Sequence, residues 1–99
     1  MLLARVVGTV WSTQKDEKLG AFKLLLLRQL DQKNQLLNAY VVAVDAVGAG
    51  VGEVVLYATG SSARQTKQTE GKPVDATIIA IVDSWDVDGD IVFRKEESS

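Results

Sequence analysis

Three glycines fall within five residues in the stretch from Val44 to Leu56, which reads Val-Asp-Ala-Val-Gly-Ala-Gly-Val-Gly-Glu-Val-Val-Leu. Glycine permits positive φ and close backbone approach, so the run predicts a tight, small-sided loop joining two strands. It also narrows the chemistry. A Walker loop ends in Gly-Lys-Ser/Thr, and a dinucleotide fingerprint is followed by a helix. Here Gly52 is followed by Glu53-Val54-Val55-Leu56-Tyr57, which is β-branched and strand-forming, and the Glu53 carboxylate would repel a phosphate. Close packing of backbones, within a subunit or between subunits, is the favoured reading, and no cofactor is expected.

The 99 residues suit a single domain. They are 46% hydrophobic, with a mean hydropathy of +0.07. A domain of this size hides roughly 60–65% of its unfolded surface, so part of the apolar excess is expected at a subunit interface. The chain has no cysteine and no histidine. Disulfides, thiolate nucleophiles and thiolate metal sites are thereby excluded, as are the commonest general base and metal ligand. A net charge of −2 gives no bulk attraction to nucleic acid or anionic lipid. No apolar run reaches the ~18 residues of a membrane span. Met1-Leu2-Leu3-Ala4-Arg5 leads directly into a strand pattern without the basic start and cleavage site of a signal peptide. A cytoplasmic location is expected.

Leu3–Trp11 predicts a strand, with Gly8 marking a bulge or a close neighbour. Phe22–Leu30 has the leucines of a helix, but its length and polar flanks favour a buried strand. A turn at Asp31–Gln35 leads to a strand at Leu36–Asp45, making a hairpin. Beyond the glycine loop, Glu53–Ala58 is a further strand. Ser61 or Ser62 can cap one or two helical turns. Ala76–Val82 is apolar without alternation, as expected of a strand covered on both faces, and it continues through Asp83–Val87. Asp88-Gly89 is a two-residue hairpin signal, and Ile91–Phe93 returns as the last strand. The sum is an all-β domain over residues 1–94: a small five- to six-stranded, OB-like β-barrel with one short helix. Residues 95–99 form a polar C-terminal tail.

The remaining constellations favour structural roles. Asp86-Val87-Asp88-Gly89-Asp90 has its glycine fourth, where a calcium loop wants it sixth, and its flanks are strand-like, so a solvated acidic turn is expected and no metal. Asp45, Asp75 and Asp83 have no base or nucleophile beside them, and capping of loop amides fits them better than acid–base work. Ser12 and Lys15 lie in a charged loop, not the desolvated site a Ser–Lys nucleophile needs. Trp11 and Trp85 could stack bases on an OB surface, but no basic cluster accompanies them, and core or interface packing is favoured. Ser61-Ser62-Ala63-Arg64 reads as a cap plus an arginine pairing across a subunit boundary, in preference to an anion site. No catalytic residue is expected.

Four blocks in order carry a specific resemblance: Val7–Lys15, Val42–Leu56, Gly60–Arg64, and Val74–Ala76 with Ala80–Asp83. Over nearly the whole chain this sequence resembles the EutN/CcmL family, the pentameric vertex proteins of bacterial microcompartment shells. The resemblance implies an OB-like barrel, a cyclic homopentamer, hexameric shell proteins as partners, and a structural role in a shell. It implies neither a nucleic acid nor a membrane as partner. Gly48, Ala49, Gly50, Ser61, Ser62 and Arg64 become the expected subunit-interface or central-axis residues. The Gly-Ser-Ser-Ala-Arg form and compact loops look closer to the ethanolamine, propanediol and glycyl-radical members than to the carboxysome ones. The alternative function is an OB-fold oligonucleotide-binding module.

Overall fold

The structure, a computed structural model, describes residues 1–11, 23–60 and 75–95. Seven strands follow in order: β1 (Leu2–Val10), β2 (Lys23–Leu30), β3 (Leu36–Asp45), β4 (Val54–Thr59), β5 (Ala76–Ile81), β6 (Ser84–Val87) and β7 (Asp90–Arg94). The first five close into a barrel in the order β1-β2-β3-β5-β4, and β6-β7 form a separate two-stranded sheet. The β3–β5 contact is parallel and the other barrel contacts are antiparallel. This order is the OB-like closure expected.

The leucine run of β2 is a strand because alternate residues serve opposite faces. Leu25 and Leu27 are fully buried inside the barrel, whereas Leu24 and Leu26 are half-buried outside it. Tertiary burial thus overrides the helix propensity of leucine. The interior holds Ala4, Val6, Ala43, Val55, Tyr57, Ala76 and Ile78 beside these leucines. Mixing alanines with larger residues fills the narrow lumen of a five-stranded barrel. The Tyr57 hydroxyl in this setting is pushed above its ordinary pKa by desolvation.

β1 bulges at Val7, where its register against β2 shifts between Val6 and Gly8, as Gly8 suggested. A β-carbon on Gly8 would meet Leu26 Cβ at 3.8 Å, so packing there is ordinary. β3 covers the residues expected. The Asp88-Gly89 turn has φ of +52° and +86° and joins Val87 to its partner Asp90. Positive φ at both central residues is the geometry of a type I′ hairpin.

Two expectations for the Ala76–Val87 run are corrected. The run Ala76–Val87 is two strands, because the chain leaves the barrel after Ile81 and Val82 N–H closes onto Val54 O at 2.8 Å. β5 is also fully covered only over Ala76, Thr77 and Ile78, with Ile79–Ile81 half-buried. Lys95, the first residue of the expected polar tail, is tied back to the domain. Its backbone N–H donates to Asp83 O at 2.6 Å, and its ammonium pairs with Glu53 at 2.9 Å. The helix expected at Ser61 or Ser62 and the Ser12–Lys15 loop lie outside the described residues.

Candidate subunit interface

The glycine-rich segment crosses from β3 to β4 over one end of the barrel, and two carboxylates shape it. Asp45 Oδ1 accepts the N–H groups of Val47, Gly48 and Ala49 at 3.0, 3.0 and 3.2 Å. Glu53 Oε1 accepts Gly50 N–H at 2.7 Å. Lys23 Nζ donates to Ala49 O at 3.2 Å from the neighbouring strand. The amides that might have cradled an anion are therefore satisfied by the chain's own carboxylates, and Asp45 caps the loop as expected. Asp31 acts likewise on the β2–β3 turn, where Oδ1 accepts Lys33 and Gln35 N–H at 2.9 Å each.

The glycines have a different reason from close approach within the protomer. Gly48 and Gly52 adopt φ of +80° and +95°, with nothing within 4 Å of an added β-carbon. They are present for the left-handed backbone that side chains resist. Gly50 lacks a positive φ, and an added β-carbon would meet only Glu53 Oε1, at 3.5 Å. Ala49, named with its neighbours as an interface candidate, is 1% exposed in the protomer and belongs to the barrel's own core. Gly48 faces outward, flanked by exposed Val47 and Val51. Ser61, Ser62 and Arg64 lie outside the described residues.

Sequence reasoning missed a second surface on the outer face of β1-β2-β3. Register places Gly8, Leu26 and Val42 in one row and Arg5, Arg28 and Tyr40 in the next, while the row of Val10, Leu24 and Val44 is already covered at Val44. Val42 is 47% and Tyr40 55% exposed. The signal was available: a barrel strand with a wet outer face alternates with polar residues, and Lys23–Leu27 does not.

The third surface is the β6–β7 hairpin. Trp85 stacks on Phe93 with centroids 5.0 Å apart at 26°, and Trp85 Nε1–H donates to Gln32 O at 2.9 Å. Trp85 thus anchors the hairpin to the β2–β3 turn, as the packing role predicted. Trp11, by contrast, is 89% exposed and is no core residue. Val87 and Ile91 are exposed beside Asp86, Asp88 and Asp90.

Among the described residues, no group of three or more His, Cys, Asp or Glu could hold a metal. The described cations on the barrel are mostly engaged within the protomer, whereas an oligonucleotide module needs an extended basic track with stacked aromatics. Lys23 is tied to the glycine loop, Arg28 lies over Tyr40 with Cζ 5.4 Å from the ring centroid, and Lys95 is paired with Glu53.

A closed OB-type barrel with an apolar, arginine-edged outer face has a surface suited to association. Comparison with known proteins agrees. The family model described as "Ethanolamine utilisation protein EutN/carboxysome" matches residues 1–83. The carboxysome shell vertex protein CcmL of Nostoc sp. is 47% identical, with 98% of this chain and 97% of the relative covered. The bacterial microcompartment shell vertex protein EutN of Salmonella typhimurium is 41% identical, with 96% of each covered. Among solved structures, Gloeobacter violaceus CcmL superposes with a TM-score of 0.93 at 44% identity, covering 98% of this chain and 100% of that one. The GrpN pentameric microcompartment shell protein from Rhodospirillum rubrum superposes at 0.81 and 42% identity, covering 88% and 99%. The chain belongs to the EutN/CcmL family of shell vertex proteins. The oligonucleotide-binding alternative finds no support among these relatives. The leaning toward the ethanolamine type is also reversed, since the carboxysome relative is the more similar of the two vertex proteins compared.

Proposed function

We propose that five copies of this chain form a ring that caps the corners of a microcompartment shell in the cytoplasm, of the carboxysome type. The observation that carries the reading is the near-full-length match to proteins named shell vertex proteins, one of them solved as a pentameric shell protein. The physical logic is curvature: hexagonal tiles alone make a flat layer, and fivefold corners close it. The partners are then the hexameric tiles of the shell. The role is structural and not catalytic.

A cyclic ring needs a heterologous contact, in which one face of each subunit meets a different face of the next. The apolar outer face of β1-β2-β3 and the outward residues of the glycine loop, Gly48 with Val47 and Val51, supply candidate faces. Ser61, Ser62 and Arg64 are a further seam or axis candidate. Electron microscopy of shells assembled from their tiles with and without this chain tests the function. Closed polyhedra only when the chain is present support it. Shells that close equally well without it, or never incorporate it, overturn it.

A further inference from the structure

On the outer face of the barrel, Arg5 on β1 lies directly opposite Arg28 on β2, which lies directly opposite Tyr40 on β3. Cross-strand partners of this kind hold their β-carbons about 5 Å apart, and like charges so placed repel. Arg28 is partly occupied: its Nε–H donates to Leu37 O at 2.9 Å, and its guanidinium covers the Tyr40 ring. Arg5 is not. Its Nε is buried with no hydrogen-bond partner. The ion pair among the described residues, Lys95–Glu53, neutralises neither arginine.

Two neighbouring guanidiniums, with no carboxylate paired to either among the described residues, thus border an apolar strip that includes Leu26 and exposed Val42. An apolar centre edged by arginine and tyrosine is the composition of a protein interface. Its counterpart must bring carboxylates beside exposed aliphatic side chains, and this chain carries such an element. The β6–β7 hairpin stands outside the barrel's hydrogen bonding. It presents Asp86 and Asp90 next to Ile91, which is 57% exposed. The two surfaces are different and complementary, as a head-to-tail ring requires.

We infer that the face bearing Arg5, Arg28 and Tyr40 receives the acidic β6–β7 hairpin of a second copy of this chain. The inference rests on the ring reading above and assigns its seam. Carboxylates of the incoming hairpin pair with the Arg5 guanidinium, whose Nε has no hydrogen-bond partner within the protomer, while Ile91 covers the strip beside Val42.

The test is native mass spectrometry and sedimentation of the full chain over a dilution series. Four variants are compared with the unaltered chain: Arg5→Glu, Asp86→Lys with Asp90→Lys, all three substitutions together, and Arg5→Met. Asp88 is left in place because its φ of +52° would strain a lysine. Arg5→Glu and the double lysine variant should each move dissociation to concentrations tenfold or more higher. The triple variant should recover most of the loss. Arg5→Met guards against misfolding: it keeps the stem of the side chain and should weaken the ring less than Arg5→Glu. An unaltered chain that forms the ring while all variants dissociate alike to it overturns this seam alone, as does a triple variant no better than the worse of its parents. An unaltered chain that never forms a ring overturns the reading beneath it.

Discussion

Lys95 Nζ lies 2.9 Å from Glu53 Oε2, joining residues forty-two positions apart. The other oxygen of the same carboxylate accepts Gly50 N–H. Glu53 therefore ties the glycine-rich crossover to the end of the C-terminal hairpin, and two surfaces proposed to meet other subunits are set by one side chain. The glutamate expected from sequence only to repel phosphate turns out to organise the loop.

That relationship has a sign in pH. The Glu53 carboxyl is held below its ordinary 4.5 by the hydrogen bond from Lys95 and then by Gly50 N–H. A carboxyl lowered in the folded state stabilises above its unfolded value, and the gain is lost as pH falls through the folded value. Lys95 is raised above 10.5 by the same bond, so its contribution is full below 10.5 and lost as pH rises through the folded value. Urea midpoints between about pH 3 and about pH 7 should fall on the acid side. Glu53→Gln should flatten part of that fall, and identical pH profiles for the two chains would contradict the assignment.

Asp45→Ala should destabilise the protomer by about 1–2 kcal/mol, because the amides of Val47, Gly48 and Ala49 lose their shared acceptor. Urea unfolding checks this. A change below about 0.3 kcal/mol would mean that water replaces the carboxylate without loss.

The three glycines should separate. Gly48→Ala and Gly52→Ala place a β-carbon at φ of +80° and +95° in open space, so strain alone should cost about 1–2 kcal/mol of protomer stability each. Gly50 has no positive φ, and Gly50→Val should weaken ring formation more than folding. Equal losses of folding stability at all three positions, measured by urea unfolding beside sedimentation, would remove the distinction.

Ile78→Ala should cost about 2–5 kcal/mol, since Ile78 is fully buried in the barrel core opposite Tyr57. Thermal and urea denaturation measure it. A loss under about 1 kcal/mol would show a core able to collapse around the gap.

Much of this was legible in the chain. The Asp88-Gly89 turn, the loop-capping Asp45, the bulge beside Gly8 and the strand nature of the Leu24–Leu27 run all follow from local chemistry. What escaped depends on pairing. Arg5 faces Arg28 only because of the register that β1 and β2 adopt, and the shift between Arg28 and Leu30 that sets β2 against β3 carries no sequence mark. The break after Ile81 carries no glycine or proline, and it shows only once Val82 N–H is seen to close onto Val54. That Ala49 packs into the protomer's core was not legible either, since a loop of small residues can turn any one of them inward.

The most direct measurement is the solution mass of the purified full chain at micromolar concentration, by light scattering on a size-exclusion column. The account predicts a single species five times the 10.7 kDa of one chain. A monodisperse particle of one chain's mass, folded and stable on its own, would contradict it.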